Sequence, residues 1–314
     1  MKLKLDLFNI SVQGTYFGLL SGFLWACNLT LINHIINFPN SLYELGFISI
    51  VIFLFTELYA LILLIFYKKN IINQIVQQKK TILSHGWFFL ICPLGMLCYV
   101  IALISMGAEN TAIISSIYPV IAVLLSRFIL GKKLAFIQYS AIILTVIGII
   151  ILSGGIHLDL LSVLGFIFAF SSAMCWGAEA ILCDYYSNQK DNIQLFPPEL
   201  LLAIRYCCSI GLGSIGIILF FIFLKEKIFL TEINLFIFLL KLIPISILSL
   251  LSYFCYYQAI NKIGAVYAIN LNISYMLWVV IFSLFYQSIS WETILGASFI
   301  LFSVITVSLK RNKK

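Results

Sequence analysis

Long apolar runs alternate with short polar connections along this chain, and strand-like alternation of apolar and polar positions is not the governing pattern. A helix that crosses a bilayer needs about 20 predominantly apolar residues. Runs of that kind lie near 14–36, 43–67, 85–106, 110–130, 136–153, 161–184, 198–224, 235–260, 263–285 and 291–308. The pattern predicts an all-α integral membrane protein with ten transmembrane helices. The third and fourth are parted by little more than Gly107-Ala108-Glu109, which predicts a tight antiparallel hairpin. Pro119 and Pro244 are expected to kink their spans, and Pro197-Pro198 marks the start of the seventh. The first run is too long for the core of a cleavable signal peptide and lacks a small-residue cleavage site, so it is expected to remain as a span.

The two halves repeat. Gly14, Ser21 and Trp25 in the first span recur at identical spacing as Gly165, Ser172 and Trp176 in the sixth. Tyr99, Ala102, Leu103, Gly107 and Ala108 recur as Tyr256, Ala259, Ile260, Gly264 and Ala265. The expected domains are therefore two five-helix units, 1–155 and 156–314. An odd number of spans per unit inserts the second copy upside down, and inverted repeats of this kind characterise secondary transporters with a site near the midplane.

Lysine placement orients the chain. Lys2 and Lys4, Lys68, Lys69, Lys79 and Lys80, Lys132 and Lys133, Lys262, and Lys310 to Lys314 fall on one side of the predicted membrane. The alternate connections 37–42, 107–109, 154–160 and 286–290 carry no Lys or Arg. Both termini are expected in the cytoplasm; the connection holding Lys225 and Lys227 dissents but also carries Glu226 and Glu232.

Composition removes the soluble alternatives. Hydrophobic residues make up 62% of the chain and charged residues 10%, with a mean hydropathy of +1.10, whereas a soluble domain carries about a quarter charged residues. The net charge of +7 does not signal nucleic acid, because the cations sit in short clusters and form no continuous basic face. All eight cysteines lie in apolar segments without a C-x-x-C pair and read as small core hydrophobes. Gly211-x-Gly213-x-x-Gly216 matches the dinucleotide fingerprint literally but lies inside an apolar span, so it reads as helix-packing glycine. No P-loop, zinc motif or catalytic-triad spacing occurs. The expectation is no enzyme, no cofactor and no metal.

The remaining chemistry is concentrated on a few intramembrane residues. Gly14, Gly18, Ser21 and Trp25 share one helix face, which should turn the indole of Trp25 into the bundle. Gly165, Ala169, Ser172, Trp176 and Glu179 form the matching stripe with a carboxylate added. An intramembrane carboxylate costs about 3 kcal/mol on insertion scales and is a candidate functional residue; a structural ion pair is the plainer alternative. Tyr253, Tyr256 and Tyr257 lie at i, i+3 and i+4 on the eighth span, and Tyr275 and Trp278 lie one turn apart on the ninth. Aromatic faces around one anion suit an organic cation, above all a quaternary ammonium, which has no N–H to donate. Arg205 either pairs with Glu199 or faces the cavity, and Glu57 is a candidate proton site.

The two Tyr-x-x-Ala-[Leu/Ile]-x-x-x-Gly-Ala segments and Ser116-Ile117-Tyr118-Pro119 resemble the EamA-type proteins of the drug/metabolite transporter superfamily. Phe17 to Trp25, Trp176-Gly177-Ala178-Glu179, Ser252 to Asn261 and Leu271 to Trp278 are similar to its bacterial choline transporters, and the likeness spans nearly the whole chain. The resemblance implies choline import across the bacterial cytoplasmic membrane by alternating access. It implies a cavity lined by Trp25, Trp176, Glu179, Tyr253, Tyr275 and Trp278; Tyr99 and Tyr257 complete the candidate substrate-binding set. The competing reading is an exporter of amino acids or other small metabolites on the same fold, which would need groups for both an amine and a carboxylate.

Overall fold

In hydrocarbon the backbone has no water to bond, so each apolar run must satisfy its own N–H and C=O groups as helix. The computed structural model describes residues 2–35, 42–84, 86–131, 136–152, 160–187, 196–223, 235–285 and 291–309, and the regular elements among them are all helices. They are α1 (Lys2–Ile35), α2 (Leu42–Tyr67), α3 (Ile71–Gln77), α4 (Lys79–Ser84), α5 (Gly86–Ser115), α6 (Tyr118–Ile129) and α7 (Phe136–Leu152). Then follow α8 (Leu160–Ser187), α9 (Pro198–Phe223), α10 (Leu235–Ile263), α11 (Ala265–Asn272), α12 (Tyr275–Ser283) and α13 (Trp291–Leu309). Seven stretches are long and apolar enough to cross a membrane: Val12–Ile35, Glu44–Tyr67, Phe88–Gly107, Val163–Ser187, Pro198–Ile222, Phe236–Ile263 and Ala265–Phe282. Tyr118–Ile129, Tyr139–Gly148 and Ile294–Ser303 are shorter apolar helices. The lysine-bearing connections at 132–133, 225–227 and 310–314, and most of the lysine-free ones, lie outside the described residues.

Several local expectations change. Helix α1 starts at Lys2, well ahead of the apolar run, and the lysine-bearing segment after α2 forms α3 and α4, which hydropathy does not reveal. The turn between the third and fourth runs is shorter than a three-residue hairpin. Gly107 alone is non-helical, at φ 83 and ψ 167, a region essentially restricted to glycine. Pro119 does not kink a helix; it occupies the first turn of α6, where its missing N–H is no loss. Pro244 lies inside α10.

The break at Gly107 has a twin. Gly264, between α10 and α11, sits at φ 81 and ψ 158. At one constant sequence offset, the interruption at Ser116 and Ile117 between α5 and α6 matches the one at Ile273 and Ser274 between α11 and α12. The two interrupted segments clasp each other. Tyr118 donates its hydroxyl proton to Asn272 Oδ1 at 2.8 Å, with the Ile269 carbonyl at 3.3 Å. Tyr275 donates to the Ala112 carbonyl at 3.1 Å, with Ser115 Oγ also at 3.1 Å. The same offset carries Tyr118 onto Tyr275, Ala112 onto Ile269 and Ser115 onto Asn272. Each carbonyl also accepts a backbone N–H four residues on, Ser116 N at 3.1 Å for Ala112 and Ile273 N at 2.9 Å for Ile269, so the clasp satisfies buried hydroxyls that lipid could not.

Glycine and serine faces let the long helices approach. Gly14 rests on Lys262 and Ile263, while Ser252 donates to the Ser21 carbonyl at 2.8 Å, so α1 and α10 run antiparallel. Helices α5 and α8 do the same, with Gly95 against Cys175 and Gly165 against Met106. Helices α2 and α9 pair through Gly213 on Leu54 and through Phe47 and Phe220, whose rings are 5.5 Å apart. Large apolar side chains such as Phe66, Phe128, Phe136 and Phe236 are exposed on the outside, a surface suited to acyl chains.

Candidate functional site

The small-residue stripe of α8 fixes its inward face, and Ser172, Trp176 and Glu179 are all buried along it. Glu179 is 1% exposed, and Tyr257 of α10 donates its hydroxyl proton to Glu179 Oε1 at 2.5 Å. Arg205 of α9 brings Nε to 3.5 Å from the same oxygen and donates from Nη1 to Glu57 Oε2 of α2 at 3.2 Å. All three side chains of this triad are about 1% exposed. One guanidinium therefore faces two carboxylates, and with both ionised the cluster carries one formal negative charge that no other ion pair among the described residues balances. The guanidinium also lies 3.8 Å from the ring centroid of Tyr253, within cation–π range.

Beside this triad stands an aromatic cluster drawn from four helices. Trp25 meets Trp176 edge-on at 5.6 Å, Tyr253 at 5.5 Å and Tyr99 at 5.6 Å, while Tyr99 and Trp176 are 4.6 Å apart. A cavity opens between them. Trp25, Trp176, Glu179 and Tyr253 line it, as the sequence reading expects, and Tyr118, Ser252, Tyr256 and Asn272 complete its wall. Its volume is about 30 Å³, room for about two waters at most. Trp176 Nε1, the Tyr256 hydroxyl and Arg205 Nη2 are buried without a hydrogen-bond partner among the described residues.

The remaining candidates fall elsewhere. Tyr99 backs the tryptophans, and Tyr257 acts on Glu179 through its hydroxyl. Tyr275 belongs to the clasp with Ala112 and Ser115, away from the cavity lining. Trp278 packs on Phe23, with centroids 5.0 Å apart, and on Phe282. Arg205 does not pair with Glu199. Their spacing is no multiple of a helical turn, so the two side chains leave α9 on different faces. Glu199 instead accepts from Gln258 at 2.9 Å and pairs with Lys68 at 3.2 Å. Asp184, also buried, accepts from the Ala265 backbone N–H at 3.2 Å and so caps α11.

The candidate substrate-binding set leaves out Tyr118, Ser252, Tyr256 and Asn272. Tyr118 was open to detection as the repeat partner of Tyr275. Asn272 is a polar residue within an apolar run, which is itself a signal in a membrane helix.

The EamA-like transporter family matches this chain twice, over residues 12–154 and 163–309. The chain belongs to the EamA-like transporter family. The transporter is 27% identical over 278 residues to Protein LicB of Haemophilus influenzae (strain ATCC 51907 / DSM 11121 / KW20 / Rd), covering 86% of this chain and 87% of that protein. A solved crystal structure shares its fold, with a TM-score of 0.59 at 15% identity, over 94% of this chain and 96% of the other. Family and helices together make it a multi-pass membrane transporter, with a small-molecule substrate and the lipid bilayer as its surroundings.

Proposed function

We propose that this transporter imports choline or a closely related quaternary ammonium by alternating access between two inverted five-helix repeats, ten spans in all, with both termini in the cytoplasm of a bacterium. The observation that carries this reading is the buried carboxylate of Glu179 at the end of a cavity walled by Trp25, Trp176 and Tyr253. A quaternary ammonium offers no N–H, so π faces and a carboxylate are the groups that replace its hydration. The matched glycine breaks and the reciprocal tyrosine clasp support the repeat, and the resemblance to bacterial choline transporters supports the substrate. Lys68, Lys262 and Gln13 of α1, just ahead of the first apolar run, lie together through the Lys68–Glu199–Gln258 contacts and a Lys262–Gln13 hydrogen bond of 3.2 Å. That supports a common cytoplasmic end.

An amino-acid substrate would need a cation free to receive its carboxylate. Arg205, the buried cation at the described site, is already shared by Glu57 and Glu179, which favours the quaternary ammonium. Inward movement of a monovalent cation gains about 2.3 kcal/mol per 100 mV of inside-negative potential. Radiolabelled choline should therefore accumulate in proteoliposomes under an imposed potential. Uptake no greater than in protein-free liposomes would overturn the assignment.

A further inference from the structure

The cavity and the charge triad conflict with a simple docking picture. A cation held between two ring faces must lie within about 6 Å of each centroid, and with its own bulk between them the centroids stand much farther apart than the 5.6 Å from Trp25 to Trp176. The rings therefore fill the box in this conformation, which matches its volume of about 30 Å³. The cation-recognition groups are nonetheless engaged. The Arg205 guanidinium stacks on Tyr253 at 3.8 Å and approaches Glu179 at 3.5 Å. It thus holds two of the partners that a substrate ammonium would need, and it does so from a second anchor, Glu57, at 3.2 Å.

We propose that Arg205 is a tethered competitor for the substrate site, and that an incoming cation displaces its guanidinium from Glu179 and Tyr253 onto Glu57. The proposal rests on the quaternary-ammonium reading above and assigns roles to two residues outside the cavity wall. Glu57 is a positioning residue: it receives Arg205 and so lowers the cost of vacating Glu179. The exchange keeps both carboxylates paired at every stage, which matters because a buried carboxylate stripped of its partner is strongly destabilised. It also explains the charge count. With both carboxylates ionised the triad is one positive charge short, and one further monovalent cation, a substrate ammonium or a proton, makes it neutral. A dication or a zwitterion would leave it unbalanced, so selection for a single positive charge follows from the same arrangement.

Affinities for choline and for tetramethylammonium, measured by calorimetry on purified full-length protein, test this. Glu57→Gln removes the alternative anchor and commits Arg205 to Glu179, so binding should weaken by about tenfold or more. The double variant Glu57→Gln with Arg205→Gln keeps one buried carboxylate and has no competitor, so it should bind as tightly as the wild type or more tightly. A residue pair that only braces the fold cannot move affinity in opposite directions. If Glu57→Gln does not fold, Glu57→Asp and Arg205→Lys replace the pair: the shortened anchor should weaken binding, and the ammonium, which lacks the planar stack on Tyr253, should strengthen it. Wild-type binding with unchanged affinity in the anchor variant overturns the competitor alone. Loss of affinity in the double variant does so too. Absence of binding in the wild type and the double variant overturns the quaternary-ammonium reading and this inference together.

Discussion

Glu179 concentrates the chemistry at the residue scale, because one of its oxygens receives both the Tyr257 hydroxyl and the Arg205 guanidinium. Glu179→Gln keeps the volume but removes the charge. Coulomb attraction at 4–5 Å and an effective dielectric of 20 is about 3–4 kcal/mol before desolvation, so half of that loss would weaken choline more than about tenfold. Calorimetry on the folded variant should show this drop; unchanged affinity would refute the role. Among the aromatics, Trp176→Ala should weaken binding by at least about 1 kcal/mol and Trp176→Phe by less, since a ring face remains. Trp278→Ala should cost less than Trp176→Ala, because its ring lies on Phe23 and Phe282 and not on the cavity. An equal loss at both positions would put Trp278 back in the substrate path. Stripe and periodicity were enough to turn Trp25, Trp176 and Glu179 inward. The partners of Glu179 were not legible, since Glu57, Arg205 and Tyr257 lie on three other helices whose rotation about their axes hydropathy leaves open. The offset that carries Trp25 onto Trp176 carries Asn28 onto Glu179, and Asn28 too is buried, with no partner for its side-chain amide among the described residues. The two halves thus share a frame but only one carries the charge.

Helix contacts set the elements. A Cβ on Gly22 would come within 2.5 Å of Ser274 Oγ and 2.6 Å of the Asn272 carbonyl, at the break between α11 and α12. Backbone cannot yield as a flexible side chain can, so Gly22→Ala should cost about 1–3 kcal/mol through overpacking. Gly211 has open space around its Cα, and Gly211→Ala should be neutral or slightly stabilising because alanine is the better helix former. Melting temperatures of the two variants in one detergent would compare them directly, and equal destabilisation would contradict the packing described. The contrast also disposes of the fingerprint-like glycines: a Cβ on Gly213 would meet Leu54, whereas one on Gly211 would meet nothing within 4 Å among the described residues. Gly107→Ala and Gly264→Ala place a side chain at φ 83 and φ 81, where about 1–3 kcal/mol of strain is expected.

For the whole molecule the decisive property is the exchange of partners between halves. The antiparallel contact of α1 with α10 has its counterpart in that of α8 with α5, and α2 meets its repeat partner α9. Movement of one half against the other would therefore act on the ring cluster directly, because Trp25 and Tyr99 come from one half and Trp176 and Tyr253 from the other. On the proposed reading, substrate parts these rings. Choline should accordingly change the intrinsic fluorescence of the protein, and replacing Trp25 and Trp176 together by Phe should remove the change; a response that survives the replacement would locate the opening elsewhere. In a background without native cysteines, single cysteines near Lys79 and Lys132 should label only from the cytoplasm and one near Asn40 only from outside. Labelling of all three from one side would overturn the inverted arrangement.

Hydropathy alone established that this chain lives in lipid as helices, because an apolar run long enough to span hydrocarbon has no other way to satisfy its backbone. Residue spacing alone also shows glycines and aromatics recurring at constant offsets, the pattern on which the proposed repeat rests. The breaks at Gly107 and Gly264, the place of Pro119 at a helix start and the clasp made by Tyr118 and Tyr275 required tertiary structure: hydropathy does not register a break of one or two residues, and the acceptors of both tyrosines lie on the other interrupted segment. So did the triad. Glu57, Glu179 and Arg205 are distant in the chain, and only the packing of α2, α8 and α9 decides that two buried carboxylates share one guanidinium and remain one positive charge short.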